Sequence, residues 1–189
     1  SKLTKENQIK CEYYQGPSGA SGLVAYLIPG LLSETYPMAY LLEKIIGEGP
    51  GSRLWPIRQI SGLAYNLNSE LELVGNQIVL IGYLETENKE AFSALGALKE
   101  PFNRLGQEGL NEQEIKQGKL IARNAYLRES FNRDRRINYL SQFLAAGLPL
   151  DFYNNFLNLL EELKPSALNH LICQTFSPEN SYEVVIVKD

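Results

Sequence analysis

Histidine occurs once in the 189 residues, at His170, and cysteine only twice, at Cys11 and Cys173. A catalytic metal site draws about three protein ligands, most often histidines with carboxylates or thiolates, and neither H-x-x-E-H nor H-E-x-x-H occurs. The chain is therefore expected to hold no catalytic metal, no four-thiolate zinc and no disulfide framework. A serine-hydrolase elbow, G-x-S-x-G, is also missing. No apolar run reaches the roughly eighteen residues that cross a bilayer, and no charged-then-apolar leader begins the chain. Charge of one sign is not in excess either. Eighteen Lys plus Arg stand against 22 Asp plus Glu, and the net −4 gives no overall attraction for nucleic acid or an anionic membrane. Redox compartment stays open, with bacterial-type cytoplasm and periplasm both compatible.

The residues that are present fit a globular protein. Hydrophobic side chains make up 44%, charged 21% and aromatic 10%, which excludes disorder and collagen. A chain of this length buries roughly 70% of the surface exposed when unfolded, enough for one sizeable core, so residues 1–189 are read as one domain. It begins at Ser1 without methionine and is read as a piece of a longer polypeptide.

Alternation over Ile9–Tyr14 and a breaker cluster at Gly16–Gly19 predict a strand and a turn. Leu23–Ile28 is continuously apolar, as a buried central strand would be, and Pro29-Gly30 stops it. Met38, Leu41, Leu42, Ile45 and Ile46 then recur at helical spacing up to Gly47 and Gly49. A short second helix is expected over Ser52–Ile60. Two strands follow, Leu63–Val74 and Gln77–Glu85, around the hairpin signal Gly75-Asn76. Lys89–Phe143 reads as helical, broken near Gly106–Gly109, with Asn111 capping a long helix whose first turn carries Glu112 and Glu114. Helices over Leu150–Leu163 and Pro165–Cys173 and a closing strand over Tyr182–Val187 complete the order. Strands segregated from a helical block predict an α+β fold, a mixed or antiparallel sheet covered on one face by helices.

Three local patterns carry weak chemistry. His170 and Cys173 are three apart on one predicted helix, but no carboxylate accompanies them there. The loop Gly47–Ser52 is glycine-rich, yet it follows a helix and lacks the lysine of a phosphate loop, so it reads as a tight turn. Lys116, Lys119, Arg123, Arg128, Arg133, Arg135 and Arg136 oppose Glu129 and Asp134, a surplus of five. Such a strip suits a nucleic-acid backbone or an acidic peptide, but it lacks interleaved stacking aromatics and reads equally as a solvated face.

The most informative stretch runs from Ser52 to Tyr65: the Gly49–Ser52 turn, Arg53-Leu54, Arg58, and Gly62-Leu63-Ala64-Tyr65 before the hairpin. Here the chain resembles the pitrilysin/insulinase family of zinc metallopeptidases, in matching order from about Leu23 to Val187. The resemblance implies a half-domain of the second type, without the inverted H-x-x-E-H helix of the zinc-bearing first type. Alone it should hydrolyse nothing. It also implies a zinc-bearing homologous half as partner, in the same or another chain, with zinc in that half and no cofactor in this one. Peptide is the implied substrate, and nucleic acid and membrane are not. An apolar face left by the missing half would permit a homodimer of this piece. In active members the second type contributes an arginine and a tyrosine seven residues apart, matched here by Arg58 and Tyr65. A guanidinium and a phenol both donate hydrogen bonds, which is what a scissile carbonyl needs as it becomes an oxyanion. The other expectation is an assembly or scaffold subunit that has kept the fold and lost proteolysis, in which Tyr65 packs and Arg58 caps a helix.

Overall fold

The computed structural model describes residues 9–14, 19–47, 49–57 and 64–188. In chain order the elements are β1 (Ile9–Tyr14), β2 (Ala20–Ile28), α1 (Leu32–Gly47), β3 (Asn66–Val74), β4 (Gln77–Thr86), α2 (Ala91–Glu108), α3 (Glu112–Ser130), α4 (Arg133–Ala145), α5 (Leu150–Glu161), α6 (Pro165–Thr175) and β5 (Ser181–Lys188). The sheet runs β1-β5-β2-β4-β3, parallel between β1 and β5 and antiparallel elsewhere, so it is mixed. The expected α+β class holds.

The apolar run of β2 lies at the centre, bonded to β4 on one side and β5 on the other. Side chains alternate across a strand, and one face, with Val24, Tyr26, Ile28, Ile78, Leu80, Leu84 and Val185, is sealed by helices. Leu23, Ala25, Leu27, Val79, Ile81 and Tyr83 point the other way and are half-exposed. Helix α2 seats on the sealed face because β4 carries Gly82 where Phe102 arrives: a β-carbon there would fall 2.8 Å from the Phe102 ring. Phe102 stacks on Tyr26 with centroids 5.3 Å apart, and Phe176 closes the trio at 5.1 Å from Tyr26. At the edge of this patch Lys99 Nζ meets Glu183 Oε1 at 2.5 Å, and Ser181 Oγ donates to the same oxygen at 3.1 Å, tying α2 to β5.

The remaining helices build outward from α1 through rings. Tyr36, Tyr40, Tyr126, Phe152 and Phe156 pack edge-on or stacked, with Tyr126 and Phe156 centroids 4.5 Å apart. The Asn111 cap forms as expected. Its Oδ1 accepts from Glu114 N (2.9 Å) while its own N–H donates to Glu114 Oε2 (3.0 Å). Asn169 on α6 then clasps the α2–α3 turn, accepting from Leu110 N and donating to Leu110 O.

Two expectations about helices need correcting. The long helical block breaks a second time, at Phe131-Asn132, where no glycine or proline marks it. Asn132 Oδ1 accepts from Asp134 N and Arg135 N and starts α4, so Arg133–Arg136 sit in a first turn rather than mid-helix. The described part of the expected helix over Ser52–Ile60 begins in tight turns, Trp55 N to Ser52 O and Ile57 N to Leu54 O, and is helical only from Trp55 to Ile57, three residues later than expected. The N–H groups of Arg53 and Leu54 are taken by Ile45 O and Ile46 O at the end of α1, and Pro56 has none to give. The rest of that segment, and Leu63 of the following strand, lie outside the described residues.

Phe102→Ala removes the ring that fits over Gly82 and should lower unfolding free energy by about 3–5 kcal/mol in urea denaturation. A loss under about 1 kcal/mol would contradict the seating of α2 described above.

Candidate functional site

Ala64-Tyr65 enters the edge strand β3. Tyr65 N donates to the Glu85 carbonyl at 2.8 Å, which fixes the backbone at the mouth of the hairpin, while the side chain stands 66% exposed. Its hydroxyl donates to Glu87 Oε1 at 2.9 Å, and Lys89 Nζ pairs with Glu87 Oε2 at 3.0 Å. Lys89, then Tyr65, hold the Glu87 carboxyl below its usual range, and the bond to Glu87 raises the phenol. Tyr65 is therefore a hydrogen-bond donor at neutral pH and not a base. Arg58 lies outside the described residues.

Beside β3 is a polar cavity of about 660 Å³. Tyr36, Tyr40, Glu43, Lys44 and Gly47 form one stripe of α1 along it, the residues of β3 from Asn66 to Glu72 a second side, and Arg128, Glu129, Arg135 and Tyr139 at the α3–α4 elbow a third. Helix α1 closes onto the strand at Gly47, where a β-carbon would fall 1.9 Å from Ser69 Oγ. Ser69 Oγ donates instead to the Glu43 carbonyl at 3.1 Å.

Three charges are buried here, Glu43, Lys44 and Glu129. Burial of a charge is costly unless it is paired and hydrogen-bonded, and each is. Lys44 Nζ lies 3.0 Å from Glu43 Oε2 and 3.7 Å from Glu129 Oε1, with the Tyr40 ring 5.0 Å below it. Glu129 Oε2 accepts from Tyr40 (3.2 Å) and Tyr139 (2.5 Å), and Arg135 approaches Oε1 at 3.9 Å. Sequence reasoning passed over this cluster. Its signal was two adjacent charges, Glu43-Lys44, inside the apolar run Leu41-Leu42 and Ile45-Ile46.

Arg53 has a structural part. Its Nη2 reaches Glu114 Oε1 (2.8 Å) and the Gly109 carbonyl (3.2 Å), fastening the turn after α1 to the start of α3. The cleft it borders, about 680 Å³, also meets Pro56, Ile57 and Pro101. His170 and Cys173 are both exposed on α6. Among the described residues no three of His, Cys, Asp and Glu gather to hold a metal ion, so these residues do not fit a resident zinc. The basic strip is divided among tasks: Lys119 Nζ reaches the Glu161 and Leu163 carbonyls at the end of α5, Arg135 faces Glu129, and Arg136 lies over the Tyr153 ring. No helix among the described residues is long and apolar enough to cross a membrane.

A mixed sheet with helices on one face and no metal-binding group among the described residues matches what the resemblance implied for the second half-domain type. Residues 3–121 match the family described as the peptidase M16 inactive domain, and the chain belongs to that family, the C-terminal half-domain type of the pitrilysin peptidases. It is 25% identical over 129 residues to the non-peptidase homolog YmxG of Helicobacter pylori, matching 68% of this chain and 30% of that protein. Its fold superposes on a Pseudomonas fluorescens peptidase M16 inactive domain with a TM-score of 0.77 at 19% identity, covering 96% of this chain and 43% of that one. A Bordetella parapertussis inactive peptidase domain gives 0.76 at 13% identity, with 92% of both chains covered. The chain thus spans less than half the length of YmxG and of the Pseudomonas chain.

Two predictions follow from the buried cluster. Glu129→Ala takes the acceptor from the Tyr40 and Tyr139 phenols and leaves Lys44 to Glu43 alone, and should cost about 3–5 kcal/mol in urea unfolding, with part of the loss regained by adding Tyr139→Phe. The phenols of Tyr26, Tyr36, Tyr40, Tyr126 and Tyr139 are all raised, burial being the first cause in each, with Glu129 adding at Tyr36, Tyr40 and Tyr139. A phenol raised on folding contributes stability that is complete below its unfolded value, about 10, and is lost as pH climbs beyond it. Phenolate absorbance from these five should appear only together with loss of far-ultraviolet dichroism. Complete titration of all tyrosines in the folded protein would refute this.

Proposed function

We propose that residues 1–189 form one half-domain of a longer protein that closes a peptide chamber opposite a homologous, zinc-bearing half. In this reading the partner supplies zinc and the general base, and this half supplies Arg58 and Tyr65 as donors to the substrate carbonyl. The observation that carries it is the placement of Tyr65: a protonated phenol, largely in solvent, at the mouth of an edge strand. It supports a group offered to a ligand more than one used in packing. Glu87 accepts the hydroxyl's hydrogen bond in the free chain, so a substrate oxygen would accept that bond in place of the carboxylate, the proton staying on Tyr65. A zinc ion in the partner half would supply Lewis-acid polarisation of the scissile carbonyl, and this chain would bind and orient the peptide.

A second reading, an assembly or scaffold subunit without proteolysis, is favoured by the likeness to YmxG, described as a non-peptidase, and by the Tyr65–Glu87–Lys89 chain, which satisfies the phenol without any substrate. Self-association of the isolated chain fits either reading.

Arg58→Ala and Tyr65→Phe, each measured in the reconstituted pair of halves, should lower kcat for peptide cleavage by about 10²–10³ for a lost donor while leaving Tm unchanged. Wild-type rates in both variants would remove the substrate role and leave the scaffold.

A further inference from the structure

At the far side of the sheet from β3, β1 is bonded only to β5 among the described residues. The phase of the ladders decides which of its backbone groups are free. Val74 and Gln77 close a two-residue turn and exchange hydrogen bonds, so the odd-numbered residues of β4 face β3 and the even-numbered ones face β2. Through the antiparallel registers Tyr26↔Leu80 and Leu23↔Val184 this phase carries Val184 toward β2 and leaves Glu183, Val185 and Val187 facing β1. Val185 lies level with Cys11, and in a parallel ladder it bonds the residues on either side, Lys10 and Glu12. The N–H and C=O groups of Ile9, Cys11 and Tyr13 therefore point off the edge of the sheet. Cys11, Glu12 and Tyr13 are exposed there, Tyr13 to 66%.

An edge with free donors and acceptors is a template for another strand, and the residues on this one complement themselves. For two copies of β1 laid antiparallel, the free groups admit only registers that set odd-numbered residues opposite odd-numbered ones. Centred on Lys10, the pairing opposes two lysines; centred on Glu12, it opposes two glutamates, and like charges directly across are unfavourable. Centred on Cys11, it sets Lys10 across from Glu12 and Ile9 across from Tyr13, each twice. Opposite charges and an aromatic residue against a β-branched one both stabilise a ladder, so a single register is favoured. A lysine ordinarily blunts an edge strand, but in this register a second copy brings the anion that answers it.

We propose that two copies of this chain join β1 to β1 about a twofold axis at Cys11, so that one continuous sheet runs through both. Ile9, Cys11 and Tyr13 of each copy exchange main-chain bonds with Tyr13, Cys11 and Ile9 of the other. The pairing consumes the same edge in both copies, so it closes as a dimer and does not grow into a fibre. It leaves the open face of the sheet and β3 untouched and rests on neither reading of the function. A ladder of this length is a small interface, which makes the dimer a weak and reversible one.

Sedimentation equilibrium of the 189-residue chain should show monomer and dimer only, with a dissociation constant of about 10–100 μM. Lys10→Glu or Glu12→Lys sets like charges across the axis twice and should weaken the dimer about tenfold or more, whereas both reversals in one chain, or an equal mixture of the two single variants, should restore it. In Cys173→Ser a short bismaleimide should join two copies through Cys11, whose Cα atoms would stand about 5.5 Å apart. Amide hydrogen exchange read by NMR should slow with rising protein concentration at Ile9, Cys11 and Tyr13 and change least at Lys10 and Glu12, which are already bonded to β5. That alternation needs no substitution, so it decides the matter even where a variant misfolds. A monomer up to about 1 mM, equal weakening by the single and double reversals, growth beyond the dimer, absence of the Cys11 cross-link, or protection at the even-numbered residues would each overturn the proposal.

Discussion

Phe102 lies over Gly82 with no space for a β-carbon between them, and this contact sets how closely a helix can approach the sheet. With α2 seated there, Tyr26 and Phe176 close around the ring, and Lys99 finds Glu183 on β5. The covered face of the sheet is then filled, and the chain that follows α2 must pack against α1 and its neighbours. The opposite face keeps its half-exposed aliphatic side chains, and β3 is left as the outer strand. One steric fit thus has consequences at both the face and the edge of the sheet.

The charged seam at Glu129 organises the second half of the molecule. Glu129 closes the end of α3, Lys44 and Tyr40 come from α1, and Tyr139 and Arg135 come from α4. An unpaired carboxylate in this position would be expensive, so the elbow between α3 and α4 is held where all of these groups reach it. Holding the elbow there keeps a polar space open next to β3. The cluster is satisfied within the protein, and its chemistry is that of a fastening and not of a reaction.

Legibility in the sequence followed the range of the forces involved. β2, the β3–β4 hairpin, the Asn111 cap and β5 were visible because their causes are local: an apolar run, a Gly-Asn turn, a polar residue three before a glutamate, a β-branched segment. The break at Asn132 was overlooked although an asparagine N-cap was its signal, because basic residues on both sides continue a helical pattern. The helix after α1 starts at Trp55 and not at Ser52 because the amides of Arg53 and Leu54 are taken by Ile45 and Ile46 carbonyls, contacts that no window of Ser52–Ile60 contains. Of the two expected site residues, Tyr65 is placed at the mouth of the hairpin, and its bond to Glu87 spans 22 residues that the strand spacing gave no means of pairing.

The sequence alone determined the α+β class: the order of strands and helices specifies the layer, and the short motifs between Gly49 and Tyr65 carry the likeness to the family. It did so through composition and short-range periodicity, which act within a few residues of their cause. Tertiary structure alone decided that Glu43, Lys44 and Glu129 share one buried seam and that, among the described residues, β3 is an outermost strand, beside a polar cavity. Those outcomes depend on which elements meet, and burial charges a penalty for every unpaired group only once they have met.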